Sequence, residues 1–121
     1  MKDLIERLEK LDGKDRRAAV DAFCEISSRI TVPDDFNRHV MQAAQSKSDS
    51  RAMGYLLLAA LTLVPRGAVL QNLTLRMQPE MGGKMYSAVV WHGSLFPSGG
   101  QRSFELAVAC AALKAREARD A

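Results

Sequence analysis

The residue types best suited to chemistry gather between positions 86 and 103: Tyr86, Trp91, His92, Phe96, then Gly99-Gly100 and Arg102-Ser103. Two successive glycines let a ligand approach the main chain, and Ser103 is a good N-cap for the helix that must follow. The unpaired N–H groups of such a helix start attract anions, and Arg102 adds a forked cation that suits phosphate. Trp91 and Phe96 offer flat faces on which a base can stack. Trp91, His92, Phe96, Arg102 and Ser103 are therefore the candidate ligand-binding set. A plainer reading of the same residues puts Trp91 and Phe96 in the core and leaves Arg102 solvated.

Other chemistry is thinly supplied. His39 and His92 are isolated, and Cys24 and Cys110 lack the close partner that a metal site needs, so neither a metal nor a cofactor is expected. Gly82-Gly83-Lys84 reads as a hairpin turn, because a phosphate-cradling loop needs more glycine in a longer frame. Cys110 with His92 would make a nucleophile pair, yet Cys110 lies among alanines, where a thiol stays protonated and inert. Both cysteines read as reduced packing thiols on apolar helix faces. Asp12, Asp15, Asp34 and Asp35 read first as helix-start residues, and Lys114, Arg116 and Arg119 as complements to a helix dipole. An enzyme is not expected.

The element that has to position these residues is a helix over Arg102 to Arg119. From Phe104 to Leu113 only Glu105 is polar, and a helix apolar nearly all round must be buried. Ahead of it, Leu73, Leu75 and Met77 alternate with polar residues as a half-buried strand. After a turn over Pro79 to Gly83, Met85 to Trp91 alternates with both faces apolar, which predicts a hairpin whose second strand is covered on both sides. Leu95 and Phe96 fit a third, short strand.

Upstream, Leu4, Ile5, Leu8 and Leu11 mark one amphipathic helix, and Ala19, Phe23 and Ile26, widened by Val20 and Cys24, mark a second. Pro33 and Asp34-Asp35 open a third with the stripe Phe36, Val40, Met41, Ala44, followed by a polar loop over 45–50. Arg51 to Val64 predicts a buried helix stopped by Pro65 and Gly67. The reading is thus one domain over 1–121 of α+β class, a small antiparallel sheet flanked by helices. Residues 1–30 offer more apolar stripe than one small sheet can cover, which predicts a homo-oligomer built through them.

Composition is that of an ordinary globular chain, 47% hydrophobic and 26% charged. No apolar run approaches the roughly 20 residues of a membrane span, and the amphipathic, acid-bearing Met1 to Arg7 resembles no targeting peptide, so a cytoplasmic protein is expected. Residues 1–50 carry a net charge of −1 and residues 51–121 a net charge of +4. That excess is too sparse for a duplex-DNA binder and suits a small anion.

Three segments stand out: Leu4-Ile5-Glu6-Arg7-Leu8-Glu9 with Gly13 and Asp15-Arg16; Ala59-Ala60-Leu61-Thr62-Leu63-Val64-Pro65 with Gly67; and Leu106 to Arg116, Leu-Ala-Val-Ala-Cys-Ala-Ala-Leu-Lys-Ala-Arg. Together they resemble the phage alpha-beta-alpha sandwich domain, a family of small phage and prophage proteins. The chain departs from the pattern at Ala68, where an aromatic is usual, and at Ser103-Phe104, where Thr-Pro is usual. The resemblance implies a helix–sheet–helix sandwich of phage or prophage origin and carries no activity with it. Combined with the basic, aromatic-bearing half, it leads to a non-enzymatic protein that sequesters a small anionic ligand, for instance a nucleotide signal of host immunity. The alternative is a protein-binding module that caps or inhibits a host protein. A phosphate site should gather several Arg and Lys side chains in space, whereas a protein-binding module should expose an apolar patch.

Overall fold

The computed structural model describes residues 1–78 and 83–120. Its elements run α1 (Lys2–Glu9), α2 (Arg16–Arg29), α3 (Asp34–Gln45), α4 (Asp49–Thr62), β1 (Val69–Gln78), β2 (Gly83–Trp91), β3 (Leu95–Pro97) and α5 (Phe104–Asp120). The fold is α+β: helices packed against an antiparallel sheet of order β1-β2-β3. The turn expected over 79–83 lies outside the described residues apart from Gly83, as does the Arg119 side chain.

The α5 helix is the centre of the molecule. Every residue from Glu105 to Leu113 is buried, because α5 packs against α4, α1, β2 and β3 at once. Its alanines explain how so many neighbours fit around one helix: small side chains let adjacent backbones approach on several sides. Ser103 caps it, its Oγ accepting from Leu106 N at 3.4 Å. Near the other end, Arg116 Nε donates to Leu63 O at 2.6 Å, satisfying a carbonyl left over where α4 stops. Lys114 pairs with Glu9 at 3.4 Å and donates to Pro97 O at 3.2 Å, so it ties α1 and β3 to α5. These two cations join elements as well as complementing the dipole.

The N-terminal helices bury their stripes within the monomer. Leu4, Ile5 and Leu8 of α1 are buried, as are Ala19, Ala22, Phe23 and Ile26 of α2. Asp15 caps α2 by accepting from Ala18 N at 3.0 Å. The rings of Phe23 and Phe36, both fully buried, stack with centroids 6.0 Å apart and fix α2 on α3. Ion pairs of Arg29 with Asp3 at 2.8 Å and Glu25 at 3.1 Å, and of Arg7 with Glu25, lace the outer seam. Much of the apolar stripe expected to drive association through residues 1–30 is thus buried against α5, α3 and α4 within the chain.

Four other expectations need correction. Cys24 is exposed, and the α2 stripe is widened by Ala22. In α3 the buried position is Ala43, while Met41 and Ala44 face out, because the stripe follows 36, 40, 43. The loop over 45–50 shrinks to Ser46, Lys47 and Ser48, since Ser48 caps α4 by accepting from Arg51 N at 3.4 Å. The α4 helix is half buried: Ala52, Leu56, Ala59 and Ala60 face inward, while Leu58 and Leu61 are exposed.

The sheet shows the largest difference. Directly paired residues share a face, so the pairs Leu70–Val90, Leu73–Ala88, Leu75–Tyr86 and Met77–Lys84 define one side. This is the side that meets α5 through Ala88 and Val90, both buried. On the opposite side of β2, Met85, Ser87 and Val89 are only partly buried and Trp91 is exposed, so among the described residues β2 is buried on one face only. A register shift between Leu70 and Asn72 keeps Val69 on that open side. β1 stands beyond the helical layer: Leu73, Leu75 and Met77 point to the helix side yet remain 46%, 48% and 64% exposed.

Candidate ligand cleft

The start of α5 is locked to the sheet by the residue just before Arg102. Tyr86 N donates to Gln101 O and Gln101 N donates to Tyr86 O, each at 2.8 Å, so the loop after β3 returns alongside β2. That bridge sets Arg102 and Ser103 beside the first turn of β2. The α1–α2 turn closes on the same point: a Cβ added at Gly13 would stand 2.6 Å from Arg102 O. Only a glycine lets these two backbones meet. Gly100 serves packing as well, for a Cβ there would meet Met85 Cε at 2.7 Å.

Between these segments and α4 lies an open cleft of about 1060 Å³. Lys10, Lys14, Lys84 and Arg102 line it, against Asp12 and Glu105. The four cations come from the end of α1, the α1–α2 turn, the start of β2 and the approach to α5. Tyr86 and Phe104 supply an aromatic wall, their rings in edge contact with centroids 4.5 Å apart at 69°. Met53, Gly54, Leu57 and Met77 form an apolar flank. A cleft lined by both aromatic rings and cations suits a ligand that is part ring and part anion.

Glu105 works against an anion here. Burial raises its pKa, only partly offset by hydrogen bonds from the Ser103 side chain and its own backbone N–H.

The five residues read from sequence as one site are split. Arg102 and Ser103 line this cleft. His92 and Phe96 border a separate hollow with Ala115 and Ala118, at the other end of α5, and Trp91 lies exposed on the open side of the sheet. At 1.5 Å per residue, Ser103 and Ala115 are roughly 18 Å apart along the helix, so one small ligand does not touch both groups. Lys10 and Lys14 escaped the sequence reading because some ninety positions separate them from Arg102. Only the Asp12-Gly13 break hinted at a close approach. Tyr86 was within the chemistry-bearing stretch, but its alternation assigned it to a strand face.

Cys110 is wholly buried in α5, and its thiol is pushed up to about 12, chiefly by desolvation and secondarily by Glu9. A thiol so held supplies no nucleophile near neutral pH. Among the described residues no group of three or more His, Cys, Asp or Glu side chains is placed to hold a metal ion. No described helix is long and apolar enough to cross a membrane. Comparison with known families, curated proteins and solved structures finds no match to this chain.

Proposed function

We propose that the chain is a non-enzymatic phage or prophage binding protein that takes a small anionic ligand, a nucleotide, into the cleft at the start of α5. One observation carries this reading: Lys10, Lys14, Lys84 and Arg102, from four separate parts of the chain, line one cleft beside Tyr86 and Phe104. The cations meet the phosphate and the rings meet the base, a role that passes from Trp91 and Phe96 to Tyr86 and Phe104. The phage context rests on the three resembling segments. Within it, sequestration of a nucleotide signal of host immunity, in the host cytoplasm, is the use such a site would serve.

Calorimetry of the purified protein against cyclic and linear nucleotides tests the reading. Loss of a charged hydrogen-bond partner costs about 1.5–3 kcal/mol, so Arg102→Ala should weaken binding roughly ten- to a hundredfold. Arg76→Ala, across the sheet from the cleft, should change it little. If wild type binds no nucleotide, or Arg102→Ala binds equally well, the reading is wrong.

A second reading, a module that caps or inhibits a host protein, draws support from the open side of the sheet. There Val69, Trp91 and Leu95 pair in a row across all three strands and all are exposed. Retention of a host protein by wild type and its loss in Trp91→Ala would favour that reading.

A further inference from the structure

The outer edge of β1 and the side of the sheet that overhangs the helices point to one occupant. β1 is ten residues long and among the described residues pairs only with β2, so half of its main-chain N–H and C=O groups face away from the sheet. Long open edges are usually blunted by proline, lysine or a covering loop. Here Val69 to Gln78 contains no proline and no lysine, and Arg76 is its single charge. Arg76 pairs with Met85, which places it on the open side of the sheet. The helix-side row of Leu73, Leu75 and Met77 is therefore uncharged as well as exposed.

Across the cleft, α4 presents a matching surface. Gly54, Leu57, Leu58 and Leu61 follow helical spacing, and Leu58 and Leu61 are exposed. Gly54 and Leu57 line the same cleft as Met77, so α4 and the end of β1 face each other across it. Among the described residues the cleft between them stands open.

We propose that a second copy of this chain covers this surface, β1 pairing antiparallel with β1 of its mate about a two-fold axis. The surface is self-complementary in the way such an axis requires. An extended strand satisfies the open edge, and a neutral row can face its own copy without like-charge repulsion. In that arrangement the sheets join edge to edge with their helix-bearing sides turned the same way. Leu73 and Leu75 of both copies then meet on that side of one six-stranded sheet. This interface differs from association through residues 1–30, whose apolar faces are already buried, and it does not depend on the cleft binding a ligand.

The test is light scattering on wild type, on Leu73→Glu/Leu75→Glu and on Leu95→Glu, with circular dichroism to confirm that each variant is folded. Both substituted leucines are half exposed, and Met77, which also lines the cleft, is left in place. Wild type should be a dimer at high micromolar concentration, the double variant should show half that mass, and Leu95→Glu should remain dimeric. Should the double variant fail to fold, amide exchange on wild type decides. Alternate amides within 72–77 should exchange rapidly when the protein is dilute and slow as concentration rises. A monomeric wild type, a folded double variant that stays dimeric, dissociation by Leu95→Glu, or exchange independent of concentration would overturn the proposal.

Discussion

Gly13 lies against the main chain of Arg102 so closely that a methyl group on Gly13 would come within 2.6 Å of the Arg102 carbonyl oxygen and 2.9 Å of its carbon. The atoms in the way are backbone, so neither can swing aside. The contact fixes the α1–α2 turn, with Lys10 and Lys14, against the approach to α5. Gly13→Ala should therefore destabilise the fold by about 1–3 kcal/mol, the usual cost of overpacking, and displace the two lysines from the cleft. Urea unfolding reads the first effect, and nucleotide affinity, if the cleft binds one, reads the second.

Gly54 should behave in the opposite way. It sits inside α4, and an added Cβ would meet nothing within 4 Å. Replacing an interior helical glycine by alanine removes backbone freedom from the unfolded chain. Gly54→Ala should stabilise by roughly 0.5–1 kcal/mol in the same urea experiment.

The two thiols should separate cleanly. Cys24 is exposed, although partial burial and the nearby Asp21 carboxylate raise its pKa, whereas Cys110 is fully buried. A thiol reagent at mildly alkaline pH should label one cysteine per folded chain and two in denaturant. Cys24→Ser should leave none accessible in the folded state.

Stability should respond to pH from both sides. The Arg29 guanidinium, with help from the N-terminal amine, holds Asp3 well below its ordinary value of 3.8. That stabilisation is complete above 3.8 and declines as pH falls below it, and Asp3→Asn should abolish this acid sensitivity. Because Asp3 is exposed, added salt should weaken the effect. Glu105 has the reverse sign, since burial raises its pKa above 4.5. Its contribution is most favourable below 4.5 and is lost as pH climbs through the folded value. Glu105→Gln should thus gain stability over wild type at pH 7 and little at pH 4, as urea midpoints at the two values will show.

The elements whose signal is internal were legible in the sequence. The apolar run from Leu106 to Leu113, with Ser103 ahead of it, reads as a capped, buried helix, and α5 is that helix. Alternation likewise located β1 and β2 and marked Leu95-Phe96 as a strand. Alternation does not say how closely a face is covered, so the strand face of Leu73, Leu75 and Met77 read as buried although these residues keep about half or more of their surface exposed. In α3 the choice between Ala43 and Ala44 depends on the angle at which α4 crosses, which no local pattern records. For the cleft, Arg102 and Ser103 were visible because helix-start chemistry is local. Lys10, Lys14 and Lys84 were not, because only the folded chain brings them to Arg102.

The central place of α5 also governs the order of events during synthesis. Every surface that α5 covers, on α1, α4, β2 and β3, belongs to an element that precedes it in the chain. Until α5 is clear of the exit tunnel those faces lack that partner, and Val90 stays wet or shielded by a chaperone. Completion of the core therefore waits for α5. A nascent chain arrested before Phe104 should be a ready substrate for proteases and holdases, whereas one arrested with α5 clear of the exit tunnel should resist them.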